Sequence, residues 1–173
     1  MSISDTESHH GAVLARIVHQ SDEPFSFEVY PTKSNSSYVF NNKIGLYIKY
    51  SKKRLSPWRF SFQKAHQDEI LEMKEKLGNV YTVFVCGKDG VVGLDYRQLK
   101  QVLDEQYDEV EWVSISRTRN TKYSIAGSNG KLRLKIGKQD FPKKLFEEIR
   151  TIKGRTENKS GFFRSIFSGK TME

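Results

Sequence analysis

The stretch Val80-Tyr81-Thr82-Val83-Phe84-Val85 constrains the fold more than any other in the chain. Apolar, aromatic and β-branched residues follow one another there without alternation, the mark of a strand buried on both faces. Upstream, Lys64 to Leu77 changes to a helical period, with Ile70, Met73 and Leu77 in one stripe and Glu72 four residues before Lys76. Gly78 is the natural stop of that helix. Downstream, Gly87-Lys88-Asp89-Gly90 turns the chain into a second strand, Val91 to Leu94, as a hairpin. Asp95 then caps a helix over Tyr96 to Glu105 that turns Leu99, Val102 and Leu103 inward.

The rest of the chain extends this pattern. His9 to Gln20 carries Val13, Leu14, Ile17 and Val18 at helical spacing, after a loose polar segment of residues 1 to 8. Strands follow over Phe25 to Tyr30, Tyr38 to Asn41, Ile44 to Tyr50 and Trp58 to Phe62. In the last of these Trp58, Phe60 and Phe62 share one face, and Arg59 and Ser61 the other. Trp112 to Arg117 is a further strand. Tyr123 to Ala126 and Lys131 to Ile136 then flank Ser128-Asn129-Gly130, a strong hairpin signal, with Leu132, Leu134 and Ile136 expected to face in. Asp140-Phe141-Pro142 opens a last helix through Leu145, Phe146, Ile149 and Ile152. These elements predict a single α+β domain over residues 9 to 153, with a mixed, mainly antiparallel sheet flanked by about four helices. A flexible basic tail is expected over residues 154 to 173.

Charge distribution points to a class of partner. The formal net charge is +8 and the isoelectric point is near 9.5, a balance that favours polyanions. Lys43 to Lys64 holds seven cations and no acid, and Ser114 to Gln139 holds seven more, again without an acid. The cations expected to meet nucleic acid, DNA or RNA, through its phosphates are Lys49, Lys52, Lys53, Arg54 and Arg59 in the first block. In the second they are Arg117, Arg119, Lys122, Arg133 and Lys135. Tyr47, Tyr50 and Trp58 are candidates for stacking on unpaired bases. A protein partner is the alternative, acting through the same basic surface or through Phe162, Phe163, Ile166 and Phe167, which have helical spacing beside Arg164 and Lys170.

Catalytic signals are sparse. His9, His10, His19 and His66 lack zinc-site spacing, and the lone Cys86 offers no CxxC pair. No phosphate loop and no GxSxG is present, so neither a cofactor nor a metal is expected. The chain has no apolar run long enough to cross a bilayer. Its first twenty residues lack a basic start and an apolar centre, which argues against a signal peptide. A single cysteine fits a reducing, cytoplasmic compartment.

The order helix, strand, strand, strand, helix, strand over residues 9 to 86 resembles the core of the restriction-endonuclease-like fold, the PD-(D/E)XK superfamily. In that family a middle strand carries an acid, one spacer and a lysine, with a second acid on the strand before. The acids bind a divalent metal that activates water. The resemblance puts Lys49 at the lysine position. Tyr47 stands where the strand acid would be, and Asn41-Asn42 where the preceding acid would be. Glu72-x-Lys74 and Glu157-x-Lys159 match the spacing, but on a helix and in the tail, and Glu28 is the only strand acid in the first half. The resemblance therefore implies a catalytically degenerate copy, with a metal-dependent nuclease as the further alternative.

Overall fold

The computed structural model describes residues 1–167, with side chains through Gly161. The chain runs α1 (Asp5–Gln20), β1 (Phe27–Val29), β2 (Ser37–Phe40), β3 (Ile44–Ser51), β4 (Trp58–Phe62) and α2 (Lys64–Leu77). It continues through β5 (Asn79–Cys86), β6 (Gly90–Asp95), α3 (Tyr96–Val102), β7 (Glu111–Ser116), β8 (Ser124–Gly127), β9 (Gly130–Lys131) and α4 (Asp140–Phe167). The architecture is α+β with mixed, mainly antiparallel pairing and four helices. Its strands fall into two sheets: β1-β2-β3-β5-β6, and β4-β7-β8-β9.

β5 lies inside the larger sheet, parallel to β3 on one side and antiparallel to β6 on the other. Both its faces are covered, which is why its sequence does not alternate. Val83 and Val85 pack with Val13 and Ile17 of α1 and Leu145 and Ile149 of α4. Phe84, on the opposite face, packs with Phe60 and Phe62 of the second sheet and with residues of α2 and α3. β4 cannot join that interior. Trp58, Phe60 and Phe62 are buried while Arg59 and Ser61 are exposed, so the strand has one wet face and pairs instead with β7.

Several expected boundaries move. α1 begins at Asp5, inside the segment expected to be loose, because Ser4 and Glu7 form a capping box. In its buried stripe His10 stands with Val13 and Ile17, its Nδ1 2.8 Å from the Tyr38 hydroxyl, while Val18 is 56% exposed. Lys131 to Ile136 is not a continuous strand. Only Lys131 belongs to β9, Ile136 rejoins through one bridge to Tyr123, and Leu134 lies 81% exposed between them. The backbone peels away there, and strict alternation does not survive without a paired neighbour. α4 does not stop at Gly154 but runs to Phe167, because a glycine costs a helix interior only ~1 kcal/mol when no left-handed cap forms. Phe162, Phe163, Ile166 and Phe167 belong to this last stretch, and their side chains lie outside the described residues. No described helix is long and apolar enough to cross a membrane.

Candidate nucleic-acid interface

Parallel β3 and β5 end side by side, Ser51 opposite Cys86. The chain leaves this edge in two loops, 52–57 after β3 and 87–89 after β5. Gly87 ties them together. Its φ is +54°, its N–H donates to Ser51 O at 3.0 Å, and a Cβ there would stand 2.3 Å from Lys53 O. The same carbonyl accepts from Trp58 Nε1 at 2.9 Å, which fixes the basic loop over the buried indole. On the far side α1 is pinned by His9, stacked on Tyr50 with ring centroids 4.3 Å apart.

Between these walls lies an open groove of about 830 Å³, lined by His9, Lys52, Arg54, Leu55, Lys88 and Asp89 among others. It adjoins a second hollow of about 410 Å³ that adds Arg16 and the side of α1. Four cations thus border the two adjoining hollows: Arg16, Lys52, Arg54 and Lys88. Two acids stand nearby, and both are engaged. Asp5 meets Lys52 at 2.8 Å. Asp89 accepts from Arg117 Nη2 at 2.6 Å and Nε at 2.9 Å, and from the Tyr123 hydroxyl at 2.5 Å. The Arg117 hydrogen bonds, opposed by partial burial, hold the Asp89 carboxyl below its usual range. Asp89 therefore anchors the hairpin to the second sheet, and its charge is largely cancelled where the groove ends.

The two basic blocks meet at this edge. Pairing of β4 with β7 sets Arg59 opposite Ser114, and the Arg117 N–H donates to Ser56 Oγ at 2.9 Å. Lys52 and Arg54 of the expected cations line the groove. Lys53 is exposed beside it, with Nζ donating to Pro57 O at 3.0 Å. Arg119 and Lys122 are exposed on the β7–β8 connection, and Arg133 and Lys135 on the stretch after β9. Arg117 is committed to Asp89. Arg59 lies on the outer face of the second sheet, its guanidinium 4.5 Å from the centre of the Trp112 ring. Of the expected stacking residues, Tyr47 and Trp58 are buried and Tyr50 is half-buried with one face stacked on His9. Arg16 and Lys88 escaped the sequence reading. Lys88 was visible as a basic residue in a turn after a buried strand, but only the parallel pairing of β3 with β5 makes that turn a neighbour of Lys52.

Lys49 is elsewhere. Its side chain points between the sheets, with Nζ 3.2 Å from His66 Nδ1 and 4.5 Å from the centre of the Phe62 ring. Burial pushes its ammonium down to about 8, against the pull of Glu69. Glu69 itself accepts from Ser34 Oγ at 2.7 Å. Among the described residues no three histidines, cysteines or carboxylates come together as a metal site.

Compared with protein-family models, characterised proteins and solved structures, the chain gives no match.

Proposed function

We propose that this chain binds nucleic acid, chiefly through the phosphate backbone, in the groove at the ends of β3 and β5. One observation carries the proposal: Arg16, Arg54 and Lys88 border two adjoining open hollows whose neighbouring acids are already paired, Asp5 with Lys52 and Asp89 with Arg117. Phosphates entering it exchange condensed counterions for protein cations, so binding weakens steeply with salt. Three phosphate contacts, at Arg16, Arg54 and Lys88, correspond to a slope of log K against log salt of about −2 on a single strand. Fluorescence anisotropy with a labelled oligonucleotide measures it. Arg54→Ala with Lys88→Ala is expected to reduce the magnitude of that slope by about 1.4, at 0.7 per cation. Binding that ignores salt, or a double variant that binds like the parent, removes the proposal.

A second reading, a degenerate restriction-endonuclease-like domain, draws support from the larger sheet. Within that sheet α1 precedes three antiparallel strands and α2 leads into a fourth parallel to the third, with β4 of the second sheet inserted before α2. Lys49 on β3 has Glu69 and His66 near it but lacks the paired strand acids. In this reading the fold serves binding, and incubation of DNA or RNA with Mg²⁺ or Mn²⁺ yields no cleavage. Cleavage that Lys49→Ala abolishes makes the chain a nuclease instead.

A further inference from the structure

Among the described residues, the second sheet turns one face outward, away from the core. Trp58, Phe60, Val113, Ile115 and Ile125 point inward to the core. The opposite face carries Arg59, Ser61, Trp112, Ser114, Ser116, Ser124, Ala126 and, on β9, Lys131. The register sets Arg59, Ser114, Ala126 and Lys131 in one row across all four strands, with Ser61 opposite Trp112 beside it. Serine and alanine keep this surface low. Only Trp112, Arg59 and Lys131 rise from it, and none of the strand residues facing this way is acidic. The two tryptophans differ sharply in setting: Trp58 is 2% exposed, whereas Trp112 is only partly covered, with Arg59 over its ring.

One segment of chain joins this face to the basic groove. Loop 52–57 leads directly into β4, and Arg59 stands one residue past Trp58, whose indole holds that loop. Charge is graded along the strands. Cations crowd the groove end, and Asp108 and Glu109 precede β7 at the other. A polyanion leaving the groove past Asp89, whose charge Arg117 answers, can follow loop 52–57 to Arg59 and the Trp112 ring before it meets an unpaired acid.

We infer that the ligand is single-stranded, and that the Arg59–Trp112 pair on this open sheet face stacks one of its unpaired bases. The inference rests on the groove's reading as a nucleic-acid site and adds what that reading leaves open. A duplex satisfies the groove cations equally well but keeps its bases paired and stacked internally. An unpaired base offers a π-face that can extend the stack of guanidinium on indole.

The test uses the full chain, a twelve-residue thymidine oligonucleotide and a hairpin duplex of equal charge. With only two tryptophans present, and Trp58 buried, quenching of intrinsic fluorescence on addition of the single strand reports Trp112. Trp112→Ala is expected to weaken single-strand binding about tenfold while leaving duplex binding unchanged. Trp112→Phe retains most of the affinity, and Arg59→Ala, at an exposed position, gives an intermediate loss if Trp112→Ala fails to fold. Duplex binding as tight as the single strand, or variants that weaken both ligands equally, overturns the stacking inference. Binding that Arg54→Ala with Lys88→Ala abolishes, but that Trp112 and Arg59 do not influence, overturns it and leaves the groove intact. Failure of the parent protein to bind either ligand removes both readings.

Discussion

His66 shows how one side chain can report the state of its surroundings. Its Nδ1 accepts from the Gln63 N–H at 3.2 Å, where α2 begins, and also faces Lys49 Nζ at 3.2 Å. Both contacts need a neutral ring. Burial first, then Lys49, lowers its pKa, while Glu69 pulls the other way. A folded pKa below the unfolded value near 6.5 means that the unfolded chain binds more protons as acid is added. The contribution of His66 is then complete above about pH 6.5 and is lost as pH falls below it. His10, whose pKa burial also lowers, adds to the same trend. Urea unfolding from pH 8 to pH 5 is expected to show declining stability below about pH 6.5, with a shallower decline in His66→Asn. Lys49 behaves in the same sense at higher pH. With a folded value of about 8 against 10.5 for the free side chain, its cost is constant below pH 8 and fades as pH rises towards 10.5. Lys49→Met is therefore expected to stabilise the protein at pH 7 by ~1 kcal/mol and to gain nothing at pH 10. Nucleic-acid affinity should not move, because this lysine does not reach the groove. From sequence, Lys49 was a cation in an acid-free block, at the position where the restriction-endonuclease-like resemblance puts its lysine. Strand alternation told which face it shares with Tyr47, but not that Phe62 and His66 close over that face.

At the scale of elements, loops 52–57 and 87–89 depend on each other. Gly87 adopts a left-handed conformation with the Lys53 carbonyl where a side chain would begin. Gly87→Ala should cost at least ~1–3 kcal/mol, seen as a lower urea midpoint, and weaken binding in the groove by disturbing both loops. Asp89 joins the β5–β6 hairpin to the second sheet through Arg117 and Tyr123, whose partners are mostly buried. Asp89→Asn keeps the shape but removes the charge that Arg117 answers, at an expected cost of ~2 kcal/mol. Circular dichroism melting checks it. The hairpin, the Asp95 cap, the Gly78 stop and the strict face of Trp58, Phe60 and Phe62 were all legible, because each is decided by residues near in sequence. The end of the β8–β9 hairpin and the reach of α4 were not. Leu134 obeys the alternation yet faces solvent, since pairing that would hold it inward ends at Lys131. Gly154 continues a helix whose backbone has no local reason to turn there.

For the whole molecule, the decisive quantity is where the charges meet. Long acid-free blocks, an unbroken β5 and one-sided β4 were properties of composition and period, and they determined an α+β chain with a basic surface and a buried central strand. They are local facts, fixed by side-chain alternation and by the formal charges along the chain. Which cations face one another was decided by tertiary structure alone. Parallel pairing of β3 with β5 brings Lys52 and Arg54 beside Lys88, and packing of α1 on the larger sheet adds Arg16. The same folding draws Lys49 into a half-buried place beside His66, commits Arg117 to Asp89 and leaves Trp112 half-covered by Arg59. Sequence could count these groups but not distribute them, because the contacts that sort core from groove and open face join residues far apart in the chain.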